Sequence, residues 1–380
     1  MANDISMTGL TEIVYTARDR VAREPTGFMQ GAMINSTAEG ASINGTIASI
    51  RTTQPTLNTS YTPAMTVPSA SDITTTTESV TLAQTANVQI PLKGETVKQI
   101  TNTAGRNAFE NIIAQGIRSI VNAIEVRGGI VLKNGASRVV GTAGTTPFAS
   151  NANTIATMRQ ILTDNGAPLN DGNLSLVINS AAGANMRNLS NLYKANEAGT
   201  DATLRRGELL NLHNFSIRES AGVALHTKGT GSSYQSNGAI AVGDTSLNVD
   251  TGTGTIVAGD VLLFTGGSYS YVTKTALSGG VVVINQPGAR EAVADNVAVA
   301  VGNNYTANIG FHQSAVELVM RPPAMPEGGD IGEHQVIYDE VTGLVFDLAL
   351  YRGRGMNMLE MTVFYEWKVW KPEFVATIMG

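Results

Sequence analysis

The chain has 380 residues, of which 42% are hydrophobic and only 15% charged, with 40 glycines, no cysteine and a formal net charge of −6. That length can bury a sizeable core, the lack of cysteine excludes disulfides, thiolate-held metals and thiol nucleophiles, and the negative balance excludes a global basic field for tight phosphate binding. Charge is scarce beside the roughly one quarter usual in soluble domains, so uncharged Thr, Ser, Asn and Gly must cover much surface, and these cost less to bury against another chain than Lys or Glu.

The opening Met1 to Met7 has no charged region ahead of an apolar stretch, and no run approaches the ~20 apolar residues of a membrane span, so a cytoplasmic product is expected. From Thr8 to Arg23 the residues Leu10, Ile13, Val14, Ala17 and Val21 recur at helical spacing, and Pro25 with Gly27 closes the segment. Glu12, Asp19 and Glu24 balance Arg18, Arg20 and Arg23, which fits this amphipathic helix for packing on protein and not for binding nucleic acid. Residues 50–92 change character: Pro55, Pro63 and Pro68 break helix, Thr74 to Thr77 run together, and Val80, Leu82, Val88 and Ile90 suggest strands. With so few large apolar residues this hairpin or arm cannot form its own core and needs an external surface, while its β-branched alternation weighs against a disordered linker.

The strongest helix is predicted over Asn102 to Val126, with Phe109, Ile112, Ile113, Ile117, Ile120, Val121 and Ile124 on one face, and Gly128 and Gly129 are expected to end it. At 1.5 Å per residue it spans about 40 Å, a length suited to carrying other elements. Helices at Thr154–Asn165 and Ala181–Tyr193 then flank a short buried strand, Leu174–Ile178, so this part reads as α+β. From Gly229 to Gly302 composition shifts to Gly, Val, Thr and Ser without helical period. An inserted all-β unit is predicted there, with strands at 240–249, 256–264, 270–275, 281–284 and 297–301. Beyond it, Ile309–Met320 and Val336–Tyr351 resume strand character around a break at Arg321–Gly329, and Met358–Val369 forms a last strand. The closing aromatics Phe364, Tyr365, Trp367, Trp370 and Phe374 are expected to fill a core in preference to forming an interface belt.

Several segments resemble the major capsid (coat) proteins of tailed double-stranded-DNA bacteriophages: Ala22–Phe28 (AREPTGF), Leu162–Leu169 (LTDNGAPL), Val177–Asn185 (VINSAAGAN), Gly207–His213 (GELLNLH) with Ile217–Ser220 (IRES), and Tyr305–His312 (YTANIGFH) running to Arg321-Pro322. None is diagnostic alone, but their order spans nearly the whole chain. The resemblance implies an α+β fold with an amino-terminal arm and helix (1–50), an extended loop (51–92) and a peripheral domain (93–150) carrying a spine helix at 102–126. It further implies an axial domain in two parts (151–228 and 303–347) around the inserted β subdomain (229–302), and a return to the peripheral domain (348–380). It also implies a virion shell protein, made in the host bacterial cytoplasm, that assembles with itself into hexamers and pentamers of an icosahedral head. Expected partners are a scaffolding protein, a portal, a decoration protein on the β insert, and packaged DNA touched weakly and without sequence preference. Some members of the family weld their shells through a lysine on the extended loop; no Lys occurs between Arg51 and Leu92 here, so an uncrosslinked shell is expected.

Catalytic readings find little support. Asp250-Thr251-Gly252 spells one half of an aspartic-protease pair, but a single copy between glycines reads better as a hairpin turn. His213, His226, His312 and His334 include no pair at metal-ligand spacing, and neither a nucleophile elbow nor a phosphate- or dinucleotide-binding glycine loop occurs. Arg106, Arg118 and Arg127 are diluted by Glu110 and Glu125 and read as a solvated face. No catalytic, cofactor-binding or metal-binding residue is predicted, and no cofactor. The competing non-enzymatic reading, a β-rich phage fibre or surface adhesin, is opposed by the long helix and the α+β middle.

Overall fold

A computed structural model describes residues 26–52, 75–94, 103–189, 211–325, 331–338 and 343–380, with Val14, Leu57, Pro63, Met65 and Thr66 as isolated positions. Among these, α1 (Phe28–Gly31) precedes β1 (Met33–Ser36), β2 (Thr46–Thr52), β3 (Thr75–Thr81) and β4 (Gln84–Lys93), and the long α2 (Thr103–Gly135) follows. Next come β5 (Arg138–Gly141), α3 (Asn153–Asp164), β6 (Leu174–Ile178), α4 (Ser180–Arg187), β7 (Phe215–Glu219) and β8 (Leu225–His226). The insert contributes β9 (Tyr234–Ser236), β10 (Ser246–Asp250), β11 (Val261–Phe264), β12 (Ser270–Val272), β13 (Val281–Val283) and β14 (Ala298–Val301). The chain continues through β15 (Tyr305–His312), β16 (Val316–Arg321), β17 (Ile331–Tyr338), β18 (Val345–Arg352), β19 (Met356–Val369) and β20 (Val375–Met379). The predicted helix at Thr8–Arg23 lies outside the described residues except for Val14, which is helical and buried.

The apolar stripe of α2 does what its period requires: Phe109, Ile113, Ile117, Ile120, Val121 and Ile124 are all buried, and they share one core with Ile90 and Leu92 of β4 and Leu359, Met361, Val363 and Trp367 of β19. In β4 the inward residues Ala86, Val88, Ile90 and Leu92 alternate with exposed ones, so one face of the sheet lies on the helix. The sheet runs β1-β16-β19-β18-β17, with β4 also pairing β19 from Met356↔Lys93 to Tyr365↔Gln84.

The helix does not stop where the paired glycines suggest. It is 33 residues long and passes through Gly128 and Gly129 to Gly135, about 50 Å at 1.5 Å per residue. Both glycines serve close packing: a Cβ on Gly128 would sit 2.8 Å from the Trp367 indole, and one on Gly129 would overlap the carbonyl oxygen of Gly222. Trp367 completes the contact by donating its indole N–H to Ile124 O at 2.8 Å, so this aromatic fills the core as its alternation predicts.

The sheets divide the chain at places the composition does not mark. β16, β17 and β18 belong with β19 on the long helix, so the segment 316–347 does not rejoin the α3–β6–α4 region as expected. The crossing falls at the short turn Gln313–Ala315. Conversely β20 leaves the helix-bearing sheet and inserts between β15 and β5 in a second, larger sheet of order β13-β10-β9-β14-β11-β12-β5-β20-β15-β6-β7. β4, placed by sequence in the extended loop, is a core strand, while β2 and β3 form a separate two-stranded ribbon.

The Leu174–Ile178 strand is wholly buried at its predicted bounds, and α3 covers it with Ile155, Met158, Ile161 and Leu162. α4 begins one residue before its expected start, capped by Asn179, whose side chain accepts from Ala182 N at 2.9 Å, and ends at Arg187. The insert has its own core of Tyr234, Leu247, Val249, Leu262, Phe264, Tyr271, Val282 and Ile284. It is not a free-standing module, because β12 pairs with β5 through Tyr271↔Arg138 and the sheet runs on into the body.

Candidate assembly surfaces

The side of α2 turned away from its core carries Asn111, Ile112, Gln115, Ser119, Ala123, Val126 and Ile130. These positions recur every three or four residues and so form one stripe along the helix. Ile112, Val126 and Ile130 are 49%, 47% and 37% exposed, and not one exposed position from Phe109 to Ile130 is charged. The charges of this stretch go elsewhere. Glu110 and Glu125 are buried, Arg118 is half-buried, and Arg127 lies flat in a two-pronged pair with Glu366, at 3.0 and 3.1 Å. A solvent-facing helix of a monomer puts Lys and Glu on its outer face; a charge-free stripe with three large aliphatics is built to be covered.

The ribbon of β2 and β3 is the second such surface. It pairs from Thr46↔Thr81 to Thr52↔Thr75 as a two-stranded sheet. At its base Val80 and Leu82 pack with Val319 and with Ile47, Phe364 and Trp370. A two-stranded ribbon is at best marginally stable alone, and its outer backbone groups invite another surface.

A buried carboxylate holds the start of α1. Glu125, 2% exposed on α2, accepts from the backbone N–H groups of Gly27, Phe28 and Met29 at 2.5, 2.8 and 3.1 Å and from the Ser220 hydroxyl at 2.6 Å. These are the otherwise orphaned donors at the start of α1, and a carboxylate there also suits the helix dipole. Phe28, fully buried, stacks on Phe311 at 6.5 Å between centroids. Sequence reasoning read Glu125 as part of a solvated face; its place seven positions from Arg118 carries no signal that it faces inward.

The insert docks on the far end of α2. Asn285 donates both amide protons to the terminal carbonyls, Asn134 O at 2.7 Å and Ala136 O at 2.8 Å. Beside it a buried polar chain runs from the helix into the insert: Lys133 Nζ lies 2.9 Å from His226 Nδ1, and His226 Nε2 lies 2.8 Å from Asp260 Oδ1. Asp260 also accepts from Gly229 N and Val257 N, and the Tyr305 hydroxyl donates to Gly259 O at 2.7 Å. Burial pushes Lys133 down from its ordinary value against the pull of Asp260, and burial next to the same carboxylate pushes Tyr305 up.

The residues weighed for catalysis are accounted for structurally. Asp250 is exposed at a turn where Thr251 has φ 62° and Gly252 lies against the Tyr234 ring; the turn is not the expected hairpin, because β10 pairs with β13 and β9 while β11 pairs with β12 and β14. His213 sits in a left-handed turn with φ 53°. His312 does meet both a carboxylate and a hydroxyl, Asp171 Oδ2 at 2.7 Å and Ser314 Oγ at 2.8 Å. Its Nδ1 also accepts from Ser314 N at 3.2 Å, so the ring is the cap of the Gln313–Ala315 turn. Asp171 is held below the usual carboxylate range by the Asn173 backbone N–H and then by His312. Among the described residues no group of three or more His, Asp or Glu could hold a metal, and no helix is long and apolar enough to cross a membrane.

Neither a protein-family model nor a curated relative matches the sequence. In structure the chain is similar to "Mycobacterium phage Che8", with TM-score 0.49 and 15% identity over 93% of this chain and 91% of that one. It is also similar to the capsid of Cyanophage P-SCSP1u, with TM-score 0.49 and 11% identity over 94% and 88%. A third similar structure is the virus-like particle from Pyrococcus furiosus, with TM-score 0.45 and 7% identity over 98% of each chain.

Proposed function

We propose that this chain is a shell-building subunit, the major capsid protein of a tailed bacteriophage, whose copies join as hexamers and pentamers into an icosahedral head around double-stranded DNA. The observation that carries the reading is the pairing of two incomplete surfaces in one molecule: a long helix whose outer stripe from Asn111 to Ile130 is charge-free, and a two-stranded ribbon whose described apolar contacts lie at its base. Each supplies what the other lacks. A ribbon laid across a neighbour's α2 covers the aliphatic stripe and gives Thr-rich strands a surface, at small desolvation cost because the stripe is uncharged and the two strands carry only Arg51 and Glu78. The contact is heterologous, and such contacts close into rings when the rotation between copies allows. A two-stranded ribbon, unlike a packed domain, can bend to let one sequence fit the slightly different angles of five-fold and six-fold rings.

The same reading gives the remaining partners. A scaffolding protein and a portal are needed to start a closed head, the insert offers a platform for a decoration protein, and a net charge of −6 suits loose enclosure of DNA over tight phosphate binding. Negative-stain microscopy of the purified product tests the proposal: polyhedral shells support it, whereas rods would point to a fibre and small discrete oligomers to neither. A chain in which Thr46–Thr81 is replaced by a tight turn, leaving β4 in place, should fold yet fail to form stable shells; normal shells from that variant would remove the ribbon from the mechanism.

A further inference from the structure

We propose that the Lys133–His226–Asp260 chain is an acid-released latch between the C-terminal end of α2 and the β insert. Its members are 7%, 3% and 0% exposed, and one comes from the helix, one from β8 at the threshold of the insert, and one from the turn before β11 inside it. The titratable groups facing the imidazole are these two neighbours and Tyr305 of β15, whose ring centroid lies 5.1 Å away.

An ammonium only donates and a carboxylate only accepts, so the ring between them must show a lone pair to Lys133 and an N–H to Asp260. The chain then holds one positive and one negative charge around a neutral imidazole. Moving the proton from the amine to the ring keeps the same total, with the neutral amine now accepting. A second proton has no place: two donors would face each other at 2.9 Å with an uncompensated positive charge out of water. Undocked, both side chains are in water and take up protons freely as the pH falls. The undocked state therefore binds more protons in acid, and docking weakens as pH is lowered. Released, Asp260 no longer holds the amides of Gly229 and Val257, which fasten the insert's first turns. The burial that lowers Lys133 acts in the same direction.

Hydrogen exchange of the full-length protein, corrected for the intrinsic pH dependence of exchange, reads this at the peptides containing Gly229 and Val257. Between about pH 8 and about pH 5 their protection should fall by up to about tenfold per pH unit, the limit for one proton, while β19 peptides change little. Lys133→Met leaves a histidine free to pair as a cation with Asp260, so its protection should rise as pH falls, reversing the sign. His226→Gln keeps an acceptor towards Lys133 and a donor towards Asp260 but does not titrate, so its profile should be flat. A wild-type profile without acid loss, a Lys133→Met profile with the wild-type sign, or a His226→Gln profile that still drops in acid would each overturn the latch. None of these readouts depends on whether the protein forms shells.

Discussion

Replacing Gly129 by Ala sets two effects in opposition within a single helix. Alanine is favoured over glycine in a helix interior by about 0.8–1.0 kcal/mol, so on propensity alone the change should stabilise α2. The new methyl, however, would overlap the carbonyl oxygen of Gly222, and a Cβ on Gly222 would in turn lie 2.8–2.9 Å from Glu125, so helix and turn meet backbone to backbone. Relief requires moving the turn that carries Ser220, whose hydroxyl donates to Glu125 and accepts from Gly222 N at 3.0 Å. Overpacking of this kind typically costs about 1–3 kcal/mol, and here no flexible side chain can absorb it, so a net loss of about 1–2 kcal/mol is expected. Gly116→Ala is the control: its obstacles are side-chain ends and not backbone, the flexible Met361 terminal methyl at 2.5 Å and Val88 Cγ1 at 3.1 Å, so more of the propensity gain should survive. Denaturant unfolding of the unassembled subunit should place the midpoint of Gly129→Ala below wild type and that of Gly116→Ala at or above it. If Gly129→Ala proves as stable as Gly116→Ala, the close approach at Gly222 is not what holds glycine there.

Glu125→Gln offers one carbonyl and an amide to a site that presents four donors, and should lower the unfolding free energy by about 3 kcal/mol or more, since hydrogen bonds to a buried charge contribute about 1.5–3 kcal/mol each; an unchanged midpoint would contradict the role of Glu125 at the start of α1. Asp347 is buried with Oδ2 unpartnered, and burial raises it above the ordinary carboxylate value against the pull of His334. Its folded form thus holds a proton more tightly than its unfolded form, and its contribution, present in acid, is lost as pH rises through the raised value. Asp347→Asn should therefore stabilise at neutral pH, with the gain fading below the ordinary carboxylate range; a gain that grows in acid would reverse the sign. Boiled shells on a denaturing gel should give one band at the subunit mass of 39.8 kDa, and a ladder would refute the uncrosslinked shell drawn from the lysine-free stretch 51–92.

Local patterns were legible where period and burial agree. The stripe of α2, the all-buried Leu174–Ile178 and the Asn165-Gly166 stop of α3 follow from spacing and turn chemistry alone. Gly128-Gly129 misled because a glycine pair ends a helix in one context and admits a neighbouring backbone in another, and only the partner, Gly222, distinguishes them. Sheet membership was equally hidden: nothing in β16 or β20 says which sheet will claim it, since both are buried on two faces almost throughout, even at Glu317, Arg321 and Thr377. Of the assembly surfaces, the ribbon was foreseeable from its lack of apolar residues, whereas the charge-free stripe emerged only once Ile112 was seen to face outward with Val126 and Ile130, not inward with Ile113.

The sheet on which α2 rests is closed by strands remote in the chain, with Met33 opposite Glu317 and Lys93 opposite Met356. Such a topology has high contact order, so folding must wait for the closure of very long loops and is slow compared with helix formation or diffusion. The aliphatic stripe and the ribbon, which the proposed shell brings together, are both held in place by that late-closing sheet. In the proposed assembly, folding and self-association therefore run in sequence: a nascent chain has nothing correctly shaped to offer a neighbour until its distant strands have met.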